Sequence, residues 1–67
     1  MKLKRDVLKL KRILAGLSQE GLAEKSGVTR QAISGFELGK RTPHPRTLKK
    51  IADALGCEMS VFVDLRG

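Results

Sequence analysis

Two short helical patterns separated by one glycine stand out between Ser18 and Glu37. Leu22 and Ala23 give the first pattern an inward face, and Ser18 is a residue type that favours the N-cap before it. Gly27 follows, at the position after a helix where a left-handed backbone conformation is common and glycine adopts it without strain. The pattern predicts a helix that begins after Ser18 and stops at Gly27.

A second helix is predicted to begin at Arg30. Thr29 can cap it, and Val28 and Ile33 can pack across that cap as a hydrophobic staple. Ile33 and Phe36 then form an inward stripe. The opposite face contains no acidic residue and is predicted to be exposed; it consists of Arg30, Gln31, Ser34 and Gly35.

Amphipathic helices are also predicted on both sides of this hairpin. The first should end at Gly16, and its apolar stripe consists of Leu3, Val7, Leu10 and Leu14, widened by Ile13. After a loop that contains Gly39 and Pro43, Pro45 suits the first position of another helix, which Gly56 should close. The apolar stripe of that helix consists of Leu48, Ile51, Ala52 and Leu55.

The segment 57–65 fits two periods. Met59, Phe62 and Val63 would line one face of a helix, whereas Met59, Val61, Val63 and Leu65 alternate as one face of a strand. We favour a short helix, because Ser60 can cap it and a lone edge strand would need a partner chain. A short strand remains the alternative.

Charge extends the interpretation of the helical hairpin. Two helices joined by a tight turn, with a hydrogen-bonding face exposed on the second, have the geometry that fits a DNA major groove, although packing alone would also explain the turn. The chain has 14 Lys and Arg against 7 Asp and Glu, a net charge of +7 and a pI near 10.2. This balance favours a polyanionic partner. Lys40 and Arg41 follow the second helix directly, where contacts to phosphates are needed.

Several classes of protein are disfavoured. Cys57 and His44 are the only residues of their types, so neither a disulfide framework nor a His/Cys zinc site is expected, and we expect no cofactor. No potential nucleophile has a base at a plausible spacing, so we expect no enzyme. The chain lacks a membrane span and a signal-peptide core, which predicts a cytoplasmic protein. A length of 67 residues allows only one domain, residues 1–67.

The chain resembles the lambdoid-phage repressor and Cro-like helix-turn-helix proteins, the XRE family, from Leu10 through Phe62. The most specific matching pieces are Leu17-Ser18-Gln19-Glu20, Leu22-Ala23, Ser26-Gly27-Val28-Thr29, Ile33-Ser34, Glu37 with Gly39-Lys40-Arg41, Pro43, and Ile51-Ala52-Asp53-Ala54-Leu55-Gly56. The resemblance implies an all-α fold, a compact five-helix bundle whose second and third helices bind double-stranded DNA. It also implies a transcriptional regulator, usually a homodimeric repressor on a palindromic operator.

The resemblance also implies roles for particular residues. The base-reading residues would be Arg30, Gln31, Ser34 and Gly35. Gln19 and Arg12 would bind phosphates, in addition to Lys40 and Arg41, whose charge and position already indicate that role. Thr29 would be either a cap alone or a further phosphate contact. Arg12 and Glu37 would form a structural ion pair. Arginine and glutamine suit base reading, because they pair bidentately with guanine and adenine respectively.

Three positions depart from the family pattern. Gly21 replaces a helix-favouring glutamate and Gly35 a long polar residue, at a cost of about 1 kcal/mol of helix stability each. Gly35 also offers no side chain to a groove, so it either narrows base reading to the other three residues or lets the backbone approach DNA closely. His44-Pro45 replaces a better capped helix start.

A second hypothesis is an antitoxin-type interaction module that binds both its promoter and a toxin. The apolar patch Val61, Phe62 and Val63 would serve a homodimer interface or a foreign partner, and a strand there would favour an interlocked antitoxin-like dimer. RNA binding is a weaker alternative, because Phe36 and Phe62 are the only aromatic residues and both are expected to be buried.

Overall fold

The computed structural model of the chain describes residues 2–64. Among them, four α-helices are followed by a 3-10 turn, and two very short strands bring the ends of the described segment together. The elements are β1 (Lys2–Leu3), α1 (Arg5–Leu14), α2 (Gln19–Ser26), α3 (Arg30–Leu38), α4 (Pro45–Leu55), the 3-10 turn (Met59–Phe62) and β2 (Val63–Asp64). The predicted all-α class is confirmed, with the 3-10 turn and β2 where a fifth helix was expected.

The turn between α2 and α3 is built from local hydrogen bonds. The Ser18 hydroxyl accepts a hydrogen bond from the Gly21 backbone N–H at 2.9 Å, and the Thr29 hydroxyl accepts one from the Ala32 N–H at 3.2 Å. Gly27 has φ +76°, the left-handed conformation that ends α2. Both predicted caps are therefore present, and they satisfy helix N–H groups that have no partner within the helix.

The core lies where all four helices meet the 3-10 turn. Its largest members have no exposed surface; they are Leu8, Leu22, Ile33, Leu48, Ile51 and Phe62. Each α-helix contributes at least one of them, so burial of these side chains fixes how the helices pack on one another. Pro45 occupies the first turn of α4 as predicted, and His44 before it makes no side-chain cap.

The predicted inward face of the first helix is confirmed at Val7 and at Leu3, which lies in β1, because both are half-buried against the core, but its later part is wrong. Leu10, Ile13 and Leu14 are more than half exposed, at 55%, 53% and 73%, whereas the buried residues of α1 are Leu8 and Arg12. Leu8 and Arg12 are one helical turn apart, nearly opposite Leu10 on the helix. Because the buried face includes the charged residue Arg12, the pattern of hydrophobic residues did not identify it.

Up to residue 64, the C-terminal segment combines both of the predicted conformations; Leu65, which belonged to the predicted strand face, lies outside the described residues. A 3-10 turn ends at Phe62, and Val63 then pairs with Leu3 in an antiparallel ladder within the same chain. The strand therefore has an internal partner, and the expectation that it would need another chain is wrong. Phe62 is fully buried, so its assignment to a dimer interface is also corrected; Val61 and Val63 remain half-buried.

Candidate nucleic-acid interface

The first turn of α3 presents two polar side chains to solvent. Arg30 and Gln31 are both exposed, and Ser34, one turn further along, is half-buried. Thr29 precedes them and is itself exposed; its oxygen is used by the Ala32 N–H, but its hydroxyl hydrogen is free to be donated. This end of α3 offers a guanidinium, an amide and a hydroxyl within one turn.

Gly35 is on the same side of α3, but it is not exposed to solvent. It is buried, and the covering group is the side chain of Arg41. A β-carbon placed on Gly35 would lie 2.7 Å from Cδ and 3.0 Å from Cγ of Arg41. The expectation that Gly35 offers bare backbone to a ligand is therefore corrected for this conformation, because the stem of Arg41 occupies that space.

The loop after α3 is fixed to the helix by its backbone. The N–H groups of Lys40 and Arg41 both donate to the Gly35 carbonyl, at 2.9 and 3.2 Å. Gly39, with φ +76°, makes the sharp reversal that allows this. Lys40 and Arg41 are thus exposed cations at a defined position beside the C-terminal half of α3.

Arg12 and Glu37 form a bidentate ion pair between α1 and α3. Nε of Arg12 donates to Oε2 of Glu37 at 2.7 Å and Nη2 donates to Oε1 at 3.0 Å. The side chains are only 10% and 4% exposed. Nη1 of Arg12 donates to the Leu17 carbonyl at 2.9 Å, so each guanidinium nitrogen has an acceptor within the protein.

This arrangement contains the ion pair expected for Arg12, and the additional phosphate contact expected for Arg12 stays a prediction. Three of the five guanidinium N–H groups donate within the protein, which leaves one hydrogen on Nη1 and one on Nη2 of a side chain that is 10% exposed. The structural role of Arg12 is to neutralise Glu37 and to join α1 to α3.

Gln19 is tied into the same network. Its amide Nε2 donates to Oε1 of Glu37 at 3.2 Å, which leaves its carbonyl oxygen and one amide hydrogen for other partners. Burial raises the pKa of Glu37, but the hydrogen bonds from Arg12 and Gln19 and the positive charges of Arg12 and Lys9 outweigh it, so the pKa is lowered. The hydrogen bonds that Arg12 donates to the Glu37 carboxylate raise the pKa of Arg12.

Arg5 is a contributor to this region that the sequence patterns missed. Its Nη1 donates to the Leu38 carbonyl at 2.7 Å, at the C-terminus of α3, where the helix dipole favours a cation. The guanidinium also lies so close to Gly39 that a β-carbon at that position would require the Arg5 side chain to shift. Arg5 and Leu38 are far apart in the sequence, so no local signal could have identified the contact.

No helix among the described residues is long and apolar enough to cross a membrane. Within residues 2–64, no group of three or more His, Cys, Asp and Glu side chains is arranged to hold a metal ion.

Known proteins share this arrangement. A helix-turn-helix family model (HTH_3) matches residues 8–62. An uncharacterized HTH-type transcriptional regulator of Methanocaldococcus jannaschii is 42% identical over 57 residues, which are 84% of this chain and 86% of the relative. Another from Methanothermobacter thermautotrophicus is 51% identical over 43 residues, which are 64% of this chain. The chain spans between 40% and 62% of the length of that protein and two Bacillus subtilis relatives.

Solved structures agree with the sequence relatives. The restriction-modification controller protein C.AhdI of Aeromonas hydrophila superposes with a TM-score of 0.80 at 38% identity, covering 84% of this chain and 85% of that protein. The DNA-binding domain of the P22 C2 repressor gives a TM-score of 0.80 at 25% identity, covering 88% and 78%. The family expected from the motifs is confirmed, and none of these relatives is described as an enzyme. The chain therefore belongs to the XRE-type helix-turn-helix family of transcriptional regulators.

Proposed function

We propose that this chain is the DNA-binding domain of a transcriptional repressor that acts in the cytoplasm as a homodimer on a palindromic operator. The observation that carries the proposal is the first turn of α3. Arg30 and Gln31 are exposed there, while the other end of the same helix is fixed by side chains from α1. A helix held in this way can enter a major groove as a rigid body.

Base reading is assigned to Arg30 and Gln31, with Ser34 as a weaker contributor. A guanidinium donates two parallel hydrogen bonds to O6 and N7 of guanine, and a glutamine amide pairs with N6 and N7 of adenine. Ser34 is half-buried, and a hydroxyl accepts or donates to many groups, so it discriminates less. Base preference at two positions per half-site is expected to depend on the first two residues.

Phosphate binding is assigned to Gln19, Thr29 and Lys40. Gln19 is the first residue of α2, where the helix dipole favours an anion, and Glu37 orients its amide. The Thr29 hydroxyl and the exposed Lys40 ammonium extend the row of donors across the turn and the loop. Such contacts position the protein on DNA without reading its sequence.

The dimer proposal rests on family resemblance and on the two half-buried residues Val61 and Val63. The repressor role is supported by similarity to the P22 C2 repressor domain. The antitoxin alternative gains no support from the tail, because β2 pairs with β1 of its own chain and so does not offer that edge to an interlocked partner.

Binding-site selection from random duplex DNA tests the proposal. We expect the selected sites to contain a two-fold repeat with half-site centres about 10 base pairs apart, one helical turn of DNA. Sites without a dyad would refute the dimer. Failure of the wild-type chain to enrich any duplex, at low salt and with folding verified by circular dichroism, would refute sequence-specific DNA binding.

A further inference from the structure

Gly35 interrupts the exposed side of α3 at the position where a base-reading side chain would be expected. Residues four apart on a helix are neighbours on its surface, with β-carbons about 5–6 Å apart. A side chain at position 35 would therefore lie one turn beyond Gln31, in the same row. The glycine supplies none, yet the position is buried.

The group that buries Gly35 is the stem of Arg41. A β-carbon at position 35 would lie 2.7, 3.0 and 3.4 Å from Cδ, Cγ and Cβ of Arg41, so three successive stem carbons cross the glycine. The backbone of Arg41 is fixed to the same residue, through its N–H and the Gly35 carbonyl at 3.2 Å. Arg41 thus occupies the space that the missing side chain would fill.

The guanidinium of Arg41 keeps its donors available. Within residues 2–64 it makes no hydrogen bond or ion pair, and the carbonyl of Leu38 at the nearby helix end is already taken by Arg5. Arg41 is exposed as a whole, so its head can contact a ligand while its stem rests on the glycine. A stem ordered before binding loses less conformational entropy when the complex forms.

We propose that Arg41 is a base-reading residue that substitutes for the side chain absent at position 35, and that its target is a guanine in the major groove. The proposal replaces the phosphate role expected for Arg41 from the sequence, and it rests on the proposed function. Arginine is suited to this role, because its rigid fork matches O6 and N7 of guanine, which an ammonium cannot match. Arg30, Gln31 and Arg41 then form the reading set.

The decisive experiment compares Arg41→Lys and Arg41→Ala with the wild type by binding-site selection, followed by affinity measurements on single-base variants of the selected site. Lysine keeps the charge but loses the bidentate fork. We expect both variants to lose preference at the same base pair of each half-site, with affinity for the selected site falling roughly 5- to 150-fold. Only Arg41→Ala should also weaken binding to random duplex DNA.

Lys40→Ala is the matched neighbour control, since it removes an adjacent cation that does not cross Gly35. It should lower affinity for selected and random DNA alike and leave every base preference intact. Gly35→Ala should displace the Arg41 stem and weaken preference at the same base pair as Arg41→Ala. The double variant Gly35→Ala with Arg41→Ala should lose no more preference at that base pair than Arg41→Ala alone.

Full base preference in Arg41→Lys, or an equal loss on all duplexes in Arg41→Ala, would overturn the role of Arg41 while leaving the proposed function intact. If the wild-type chain selects no duplex, the proposed function itself fails. Thermal melting of each variant guards against misfolding, and little change is expected for the two Arg41 variants because Arg41 is an exposed loop residue.

Discussion

The two ends of α3 are held in different ways. The N-terminal end is organised by a single local cap, the Thr29 hydroxyl on the Ala32 N–H, and its next side chains extend into solvent. The C-terminal end is fixed by side chains of another helix: Arg12 binds Glu37, and Arg5 binds the Leu38 carbonyl. Both arginines belong to α1. The angle of the helix is thus set at one end while the other stays open to a partner.

Within the nine residues of α3, one end therefore contributes mainly to the stability of the fold and the other end mainly to the proposed recognition of DNA. The C-terminal end contains a nearly buried ion pair, and such pairs cost much when one member is removed. The N-terminal end contains exposed polar groups, which contribute little to folding but can discriminate between bases. Substitutions at the two ends should therefore produce opposite patterns of damage.

The largest effect is expected from Arg12→Met. It would leave the Glu37 carboxylate, whose side chain is 4% exposed, without its main partner. Removing one member of such a pair costs roughly 3 to 5 kcal/mol, against a total stability on the order of 3 to 10 kcal/mol for a domain of this size. Urea unfolding should show a loss of this order.

The double variant Arg12→Met with Glu37→Met is the control. It removes both charges together, so it should be more stable than Arg12→Met alone. If the single variant unfolded at the wild-type urea concentration, the ion pair would not be anchoring this end of α3.

Arg30→Ala tests the open end. Loss of a bidentate base contact should cost roughly 1 to 3 kcal/mol on the selected operator and flatten preference at one base pair per half-site. The unfolding free energy should stay within about 0.5 kcal/mol of wild type, because Arg30 is exposed. Fluorescence anisotropy with selected and random duplexes measures the first effect, and urea unfolding measures the second. An equal loss of affinity for both duplexes would show that Arg30 contacts phosphate rather than a base.

Acid should weaken the anchored end selectively. The pKa of Glu37 is lowered in the folded protein, so its contribution to stability is present above the unfolded pKa of about 4.3 and is lost as the pH falls through the folded pKa. Other carboxylates titrate in the same range, so the informative quantity is the difference from Glu37→Gln. The unfolding free energy of that variant should fall less between pH 6 and pH 3 than that of wild type. Equal falls in the two proteins would contradict the assignment.

The sequence predicted those parts of the molecule that depend on neighbouring residues. The caps at Ser18 and Thr29 and the turn at Gly27 are all set within a few positions of the groups they satisfy. The Arg12–Glu37 contact came only from family resemblance, since nothing local joins two residues on different helices. The later part of the α1 face was predicted wrongly, because its buried side includes that arginine.

Two other features depend on the tertiary arrangement alone. Leu3 lies almost the whole chain away from Val63, so the strand partner of the tail was not visible in its pattern. The contact between the Arg41 stem and Gly35 depends on the path of the loop after α3, and helical periodicity contains no information about that path. The residues assigned to DNA remain predictions, for which the variants above provide direct tests.

The smallest effect is expected from alanine substitutions at two helical glycines, Gly21 and Gly35. Gly21→Ala should raise stability by up to about 1 kcal/mol, the helix preference of alanine over glycine. Its β-carbon would lie 3.3 Å from the Ser18 hydroxyl oxygen and 3.5 Å from a methyl of Leu17, so only slight adjustment is needed. Gly35→Ala should gain less, because the Arg41 stem at 2.7 Å must move. Thermal melting ranks the two variants, and operator affinity should fall only for Gly35→Ala. Equal gains in melting temperature with equal affinities would show that Arg41 does not depend on its contact with the glycine.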